Sequence, residues 1–217
     1  MNVCCRVFLR SIVLPLICCV AAAAAQDLKP VQLPKPVTEG GKPLMQVLKE
    51  RKSTREFGTQ KLTEQVLSNL LWAAFGINRP DGRRTAPSAS NRQEIDIYVV
   101  MAEGSYLYDA KEHSLKAVAA ADLRAQAGTQ AFAKDAPVNL IFVADTAKMG
   151  SGSEENKLLY SGADTGYISQ NVYLFCASEG LATVARASVD RPALGQSLGL
   201  RPEQRIVLAQ SVGYPKN

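Results

Sequence analysis

The residues best suited to chemistry begin with a short basic segment at residues 51–55, which reads RKSTR and precedes Phe57-Gly58. A guanidinium group can hold a phosphate through two parallel hydrogen bonds, and a serine hydroxyl can donate another. The segment is therefore a candidate phosphate-binding site. A basic run at the end of a helix is also commonly a solvated face that suits the helix dipole, so this motif alone does not decide between the two.

Two further segments could contact a bound molecule. Residues 86–93 (APSASNRQ) form a polar stretch before a predicted buried strand, and Asn91 and Gln93 could hydrogen-bond the edge of a heterocycle. Residues 179–188 (EGLATVARAS) are mostly small, so a ligand could lie close to their backbone amides. Each segment has an ordinary alternative. The first is also typical of a turn rich in serine, asparagine and proline, and the second of a helix-to-strand connection.

The sequence offers little for hydrolytic or metal chemistry. Its single histidine, His113, lies in the turn of a predicted hairpin, where we expect it to be solvated rather than catalytic. The sequence holds no cluster of cysteine and histidine for zinc, no GxGxxG motif and no Walker loop. Candidate phosphate sites with so few acid–base residues indicate that a cofactor supplies the chemistry.

The elements that must position these segments mix helices and strands without a strict strand–helix–strand repeat, which favours the α+β class. Helices are predicted to begin at Pro43, to run from the N-cap Thr63 to Gly76, and to cover residues 119–133. A long helix is predicted over residues 165–179, capped by Asp164 and closed by Gly180. Strands are predicted over residues 95–101, 106–109, 114–118, 138–144 and 206–212.

The N-terminal part of the chain has the pattern of an export signal. Arg6 and Arg10 precede an apolar run over residues 11–20, and the alanines at residues 21–25 supply an Ala-x-Ala cleavage pattern. The whole apolar run over residues 11–25 is shorter than the roughly 20 residues of a membrane span. We therefore predict a signal peptide at residues 1–25, an extended tether at residues 26–42 and one domain at residues 43–217.

Cleavage of this leader would change both the cysteine content and the charge. Four of the five cysteines lie in residues 1–25, so Cys176 alone would remain and no intramolecular disulfide could form. The leader carries two arginines and no acid, so the net charge of +5 would fall to +3, which is too mild to indicate nucleic-acid binding. Lipidation at Cys18 or Cys19 is the alternative to cleavage, although Ile17 is not the small residue usual before a lipidated cysteine.

Taken together, these motifs resemble the nitroreductase family of flavin enzymes over nearly all of residues 43–216. The resemblance rests on the RKSTR segment, the PSASNRQ loop, Gln170-Asn171 in the long helix, GLAT at residues 180–183 and VGYP at residues 212–215. Within the family, the branch of azoline (thiazoline and oxazoline) dehydrogenases is the most similar. The features shared with that branch are LWAA at residues 71–74, the stretch 76–83, YLYD at residues 106–109 and residues 162–167.

The resemblance implies a three-layer α+β fold with a mixed central sheet, and a swapped homodimer with two FMN sites at its interface. It implies that residues 51–53 bind the phosphate and ribityl groups, and that Arg55 lies near N1 and O2 of the flavin, where a cation would stabilise the reduced form. It assigns loop 88–91 to the partner chain's site and residues 185–188 to the flavin face. The implied FMN-binding positions are Arg51, Lys52, Ser53, Arg55, Ser88, Ser90, Asn91, Ala185, Ala187, Ser188 and Lys216.

The implied activity is that of an exported FMN-dependent oxidoreductase. It would move two electrons, as hydride, between a donor and an electron-poor or azoline-like small molecule or peptide, with no metal and no membrane span. The sequence departs from the family at Glu94, where proline often follows the glutamine, and at Lys216, which stands alone where a basic pair is usual. Two other hypotheses stay open: a non-catalytic exported binding protein that keeps the fold, and an envelope protein tethered by its leader.

Overall fold

A seven-stranded sheet forms the centre of the computed structural model, which describes Met1 and residues 28–216. Its strands are β1 (Val31–Gln32), β2 (Ile95–Met101), β3 (Gly104–Asp109), β4 (Ser114–Ala119), β5 (Val138–Asp145), β6 (Ala182–Arg186) and β7 (Gln204–Gly213). Their order across the sheet is β1-β4-β3-β2-β5-β7-β6. Apart from Met1, the predicted signal peptide lies outside the described residues, as do Gln26, Asp27 and Asn217.

The strand pairs of the described residues are all antiparallel, so the prediction of a mixed sheet was wrong. β2, β3 and β4 follow one another as neighbours, as antiparallel hairpin strands do. β5 and β6 run in the same direction, but β7 lies between them and pairs with both, so they form no parallel pair. The prediction of the α+β class is confirmed.

Helices on both faces of the sheet give the fold three layers. They are α1 (Leu44–Glu50), α2 (Glu64–Phe75), α3 (Phe132–Asp135), α4 (Glu154–Glu179) and α5 (Arg191–Ser197). α2 and α4 share an apolar core with alternate residues of β2 and β5, and α5 shares a second core with the intervening residues of the same strands. No helix of the described part is both long and apolar enough to cross a membrane.

The two longest helices show how far local signals determine helix ends. α2 begins as predicted, because the Thr63 hydroxyl accepts a hydrogen bond from the Val66 backbone N–H, and Gly76 ends it. α4 ends at Gly180 as predicted but starts much earlier, where Ser153 caps it and Glu154 and Glu155 occupy its first turn. Asp164 is therefore not a cap. It is a buried residue within α4.

The helix predicted over residues 119–133 does not form, and only α3 is helical in this region. The backbone of the segment instead makes contacts with other elements, as when the Thr129 N–H donates to the Ser188 carbonyl. Gly128 lies against the guanidinium of Arg186, so closely that a Cβ at this glycine would stand 2.9 Å from the guanidinium carbon. Tertiary contacts have overridden a local preference for helix.

The segment predicted as a tether is attached to the sheet where the structure describes it. Val31 and Gln32 pair with β4, and Leu33 is buried. His113 lies beside this segment and is not a freely solvated histidine, contrary to our prediction. Its ring hydrogen-bonds the hydroxyls of Ser68 at 2.7 Å and Tyr108 at 3.1 Å. Burial lowers the pKa of His113, which favours the neutral ring.

Candidate functional site

The basic segment at residues 51–55 lies along the outer edge of the sheet. α1 ends at Glu50, and the chain then turns so that the Thr54 N–H donates a 2.9 Å hydrogen bond to the Thr183 carbonyl of β6. β6 is the last strand of the sheet, and an edge strand leaves such backbone groups unpaired. The edge therefore fixes the segment by backbone contact and leaves its side chains free for other partners.

The cations of this segment are Arg51, Lys52 and Arg55, and none of them forms an ion pair with an acid of the described residues. Lys52 and Arg55 are exposed, and the Arg51 guanidinium stacks over the ring of Tyr173 at 5.2 Å. Three cations held within five residues without a counter-ion form a positive surface that suits an anion.

Tyr173 of α4 connects the basic segment to β6. Its hydroxyl lies 2.9 Å from the Ser53 hydroxyl and accepts a 2.9 Å hydrogen bond from the Ala185 backbone N–H. Sequence reasoning missed this residue. The only signal was its position beside the inward stripe of α4, which contains Val172 and Cys176, and a tyrosine there is ordinarily a packing residue.

The third predicted segment joins the same site. Ala185 is half-buried at the end of β6, and Ala187 and Ser188 are exposed in the turn that follows. The Ser188 carbonyl and hydroxyl accept hydrogen bonds from Thr129 and Gln130, at 3.1 and 3.2 Å. The turn is therefore held from outside the sheet, and its small side chains leave the β6 edge open to a ligand.

The chain terminus completes this half of the site. Lys216 is exposed, and its backbone N–H donates to the Glu56 carbonyl at 3.3 Å, next to the basic segment. Pro215 forms a backbone bridge with Phe57. The structure therefore brings residues 51–55 next to residues 185–188 and Lys216.

The polar loop has a strained backbone. Ser90, Asn91 and Gln93 have φ angles of 54°, 52° and 50°, in the left-handed region that residues other than glycine rarely adopt. The loop is held in this shape because the Ser88 hydroxyl accepts from the Gln93 N–H at 3.0 Å and the Asp164 carboxylate accepts from the Ala89 N–H at 2.9 Å. Strain of this kind concentrates at functional sites.

Gln93 is not available to a heterocycle, contrary to our hypothesis. Its side-chain oxygen accepts from the Arg84 guanidinium at 2.7 Å, and its amide nitrogen donates to the Gly82 carbonyl and the Asn91 side chain, both at 3.1 Å. The side chain of Gln93 therefore holds the loop in place through these hydrogen bonds. The side chains of Ser90 and Asn91 are exposed on the outside of the loop.

The loop and the basic segment are anchored at different points on α4. Asp164 holds the loop and Tyr173 holds the basic segment, nine residues further along the helix. At 1.5 Å per residue these anchors lie about 13 Å apart along the axis. No hydrogen bond or ion pair of the described residues joins residues 88–91 to residues 51–55. One chain therefore holds two separate groups of candidate site residues, which we call half-sites.

Two cavities of the structure are lined in part by predicted site residues. A cavity of about 430 Å³ lies beside the basic segment and is lined in part by Lys52, Thr54 and Tyr173. A larger one of about 800 Å³ lies beyond the first turn of α2 and shares only Lys216 with the predicted site residues. We assign the function to the basic segment rather than to the larger cavity, because the cations of that segment have no ion-pair partner among the described residues and Lys52 lines the smaller cavity.

A pair of buried acids lies under the polar loop. Glu94 is fully buried, and neither of its carboxyl oxygens has a hydrogen-bond partner among the described residues, while the acid Asp164, which is 3% exposed, lies close to it. Burial, and then Asp164, raise the pKa of Glu94 to about 7, and Lys148 opposes this shift. A protonated Glu94 can donate to the Asp164 carboxylate, which in turn holds the Ala89 N–H. The residues described include no cluster of side chains suited to a metal ion.

Comparison with known proteins decides the family. The family model described as Nitroreductase, nitroreductase family, matches residues 48–214. The chain belongs to the nitroreductase family. A curated protein of Methanocaldococcus jannaschii, provisionally named a nitroreductase, is 33% identical over 152 residues, which are 65% of this chain and 77% of that protein.

Solved structures of nitroreductases agree with this assignment. A crystal structure from Ralstonia eutropha, also provisionally named a nitroreductase, is 39% identical with a TM-score of 0.84, and the match covers 91% of this chain and 93% of that one. Nitroreductase A from Vibrio parahaemolyticus is 22% identical with a TM-score of 0.61, covering 80% and 68% of the two chains, and shows the shared fold alone. The family resemblance drawn from the motifs is confirmed, and the chain is a nitroreductase-family oxidoreductase.

The buried Glu94 predicts a pH dependence of stability in this nitroreductase-family domain. The pKa of Glu94 is higher in the folded state than its ordinary 4.5, so its stabilising contribution is complete below pH 4.5 and is lost as the pH rises through 7. Glu94→Gln stays neutral throughout. We expect the unfolding free energy of the variant to rise relative to the unmodified protein between pH 5 and 8, by about 2.5 kcal/mol.

Chemical denaturation at several pH values measures this difference. Glu39→Gln, at an exposed acid, is the matched control and should give a curve parallel to that of the unmodified protein. His113 titrates equally in all three proteins, so its contribution cancels. A Glu94→Gln curve that also stayed parallel would show that Glu94 is ionised in the folded protein at every pH tested.

Proposed function

We propose that this chain is an FMN-dependent oxidoreductase that moves two electrons, as hydride, between a donor and an electron-poor or azoline-like small molecule or peptide. The observation that carries the proposal is the basic segment at residues 51–55, whose three cations form no ion pair within the described residues. Tyr173 holds this segment beside β6 through Ser53 and Arg51. The cations of the basic segment can hold a phosphate, and the open edge of β6 beside Ala185 and Ala187 can accommodate the flavin ring. The residues present therefore fit FMN.

Each part of the half-site has a role in holding the cofactor. Arg51 and Lys52 bind the phosphate, the Ser53 hydroxyl contacts the ribityl chain, and Lys216 adds a further cation. Arg55 lies near N1 and O2 of the ring, where its charge favours the reduced form. Bound FMN supplies the hydride chemistry, so no side chain of the chain is required as nucleophile or general base.

The proposed enzyme is a homodimer in which each flavin lies between two protomers. Loop 88–91 of one chain would supply Ser88, Ser90 and Asn91 to the half-site built by residues 51–55 of the other. The first half of α4 offers a surface for such pairing, because Leu158, Leu159, Tyr160 and Tyr167 are 42–65% exposed. Exposed apolar surface of this extent is typical of an interface. A two-fold dimer makes its two sites equivalent.

The proposed substrate class follows the azoline dehydrogenase branch. The motifs at residues 71–83 and 162–167 support that branch, and a thiazoline, an oxazoline or a peptide carrying one is the expected electron donor. An electron-poor small molecule is the expected acceptor. A yellow purified protein with an FMN spectrum would favour this enzyme over the alternative, a non-catalytic binding protein that keeps the fold.

We also propose that the protein is exported. The basic residues, apolar run and alanine stretch of residues 1–25 support cleavage near Gln26. N-terminal sequencing of the protein recovered from the cell exterior or periplasm should start near Gln26. Exported protein that still begins with Met1 would mean that the leader is not cleaved there, and a lipid at Cys18 or Cys19 would identify a lipoprotein instead.

The cofactor proposal is tested by removing two cations. The double variant Arg51→Ala and Arg55→Ala should keep the fold and bind FMN at least about a hundredfold more weakly. Each lost charge-assisted hydrogen bond costs about 1.5–3 kcal/mol, and about 1.4 kcal/mol corresponds to a tenfold change in affinity. Fluorescence titration of the apoprotein with FMN measures the dissociation constant.

A pair of surface lysines at the other side of the sheet provides the control. Lys29→Ala and Lys111→Ala remove the same total charge at exposed positions near β1 and the β3–β4 turn, away from β6, so this variant should bind FMN as the unmodified protein does. Equal affinity in both double variants would exclude Arg51 and Arg55 from the FMN site.

A further inference from the structure

Arg186, the last residue of β6, is a buried cation without a counter-ion. It is 7% exposed, and its guanidinium donates to the Ala127 carbonyl at 2.8 Å, to the Ser211 hydroxyl at 3.0 Å and to the side-chain oxygen of Asn139. All three acceptors are neutral, and its Nε has no partner. Among the described residues no carboxylate lies within ion-pair distance of it.

An uncompensated charge in the interior is costly. Burial lowers the pKa of Arg186 to about 10, and no charged neighbour offsets this shift, so the group still carries its charge at neutral pH. Hydrogen bonds to a carbonyl, a hydroxyl and an amide could be satisfied by a neutral donor. The retained cation therefore indicates a role for the charge itself, beyond that of joining strands.

The position of Arg186 places this charge directly behind the candidate flavin site. Side chains alternate along β6, so Thr183 and Ala185 face α4 while Arg186 points to the opposite face of the sheet, against Gly128. Through Ala127 it also fixes the segment whose Thr129 and Gln130 hold Ser188. Arg186 therefore determines the electric field behind the β6 edge and also helps to hold the turn at residues 187–188.

We propose that Arg186 is a positioning residue for the flavin, and that its buried positive charge raises the reduction potential of FMN bound at the β6 edge. This inference rests on the proposed function. Reduced FMN carries more negative charge than the oxidised form, so a fixed cation in a poorly solvated position favours reduction. Arg186 acts through the strand and does not touch the cofactor.

Two substitutions remove the electric field of Arg186 in two independent ways. Arg186→Gln removes the charge and keeps a hydrogen-bond donor. Asn139→Asp leaves the arginine in place and sets a carboxylate against its guanidinium, which cancels the charge with a buried ion pair. It also removes the hydrogen bond that the Asn139 amide donates to the Ala133 carbonyl, so its folding is checked with that of the other variants. Ser211→Ala is the control, because it removes a hydrogen bond of Arg186 and leaves its charge uncompensated. Arg186→Lys restores a cation at the same position.

The measurement is the midpoint potential of bound FMN, obtained by dye equilibration of the holoprotein, with urea denaturation of each apoprotein as the check on folding. We expect Arg186→Gln and Asn139→Asp each to weaken binding of reduced relative to oxidised FMN about tenfold. For a two-electron couple this lowers the potential by about 30 mV. Ser211→Ala should leave the potential unchanged, and Arg186→Lys should restore most of it.

The outcomes separate this inference from the proposal on which it rests. If Arg186→Gln does not fold, Asn139→Asp alone carries the test, since it retains the arginine. An unchanged potential in Asn139→Asp with FMN bound would show that Arg186 only joins the strands, and the inference fails while the FMN site stands. An unmodified protein that binds no FMN would overturn the proposed function and this inference together.

Discussion

The hydroxyl of Tyr173 is the contact on which the candidate site depends. It joins Ser53, in a segment that follows α1, to the backbone of Ala185, at the end of β6. Its ring also supports the Arg51 guanidinium. Without this contact, the basic segment would be attached to the sheet edge only through its backbone. Because α4 is a single continuous helix, the same rigid element that carries Tyr173 also carries Asp164, so both half-sites are fixed relative to one another.

The polar loop, which Asp164 of α4 holds, has a shape that costs stability. Loop 88–93 holds three residues in the left-handed region, and a buried acid pair lies beneath it. Neither feature stabilises an isolated domain, since strain and buried carboxyl groups both cost free energy. Their cost is consistent with a loop whose shape serves a second chain. Arg186 is a comparable case on the opposite side of the sheet, where a buried charge persists without a partner acid.

The sequence predicted what local chemistry determines. Thr63 and Gly76 delimit α2, and β2, β3, β4, β5 and β7 were predicted within two residues of their ends. The strands β1 and β6 were not predicted, although β6 carries the candidate site. The sequence did not predict the contacts between residues that are distant along the chain. The helix expected over residues 119–133 is displaced by contacts with Ser188 and Arg186. His113 is held in part by Ser68, which is distant from it in the sequence. Tyr173 was missed because nothing in a single sequence distinguishes a bridging tyrosine from one that packs.

A subunit-mixing experiment tests the central claim, that one flavin site is built from two chains, most directly. A protomer with Arg51→Ala and Arg55→Ala is mixed with a protomer carrying Asn91→Ala, and FMN binding is titrated after subunit exchange. If the site is shared, each heterodimer holds one doubly damaged site and one intact site. Tight FMN binding should therefore return at one of the two sites of each heterodimer, although neither parent binds FMN tightly. No recovery after confirmed exchange would mean that each site is built within a single chain.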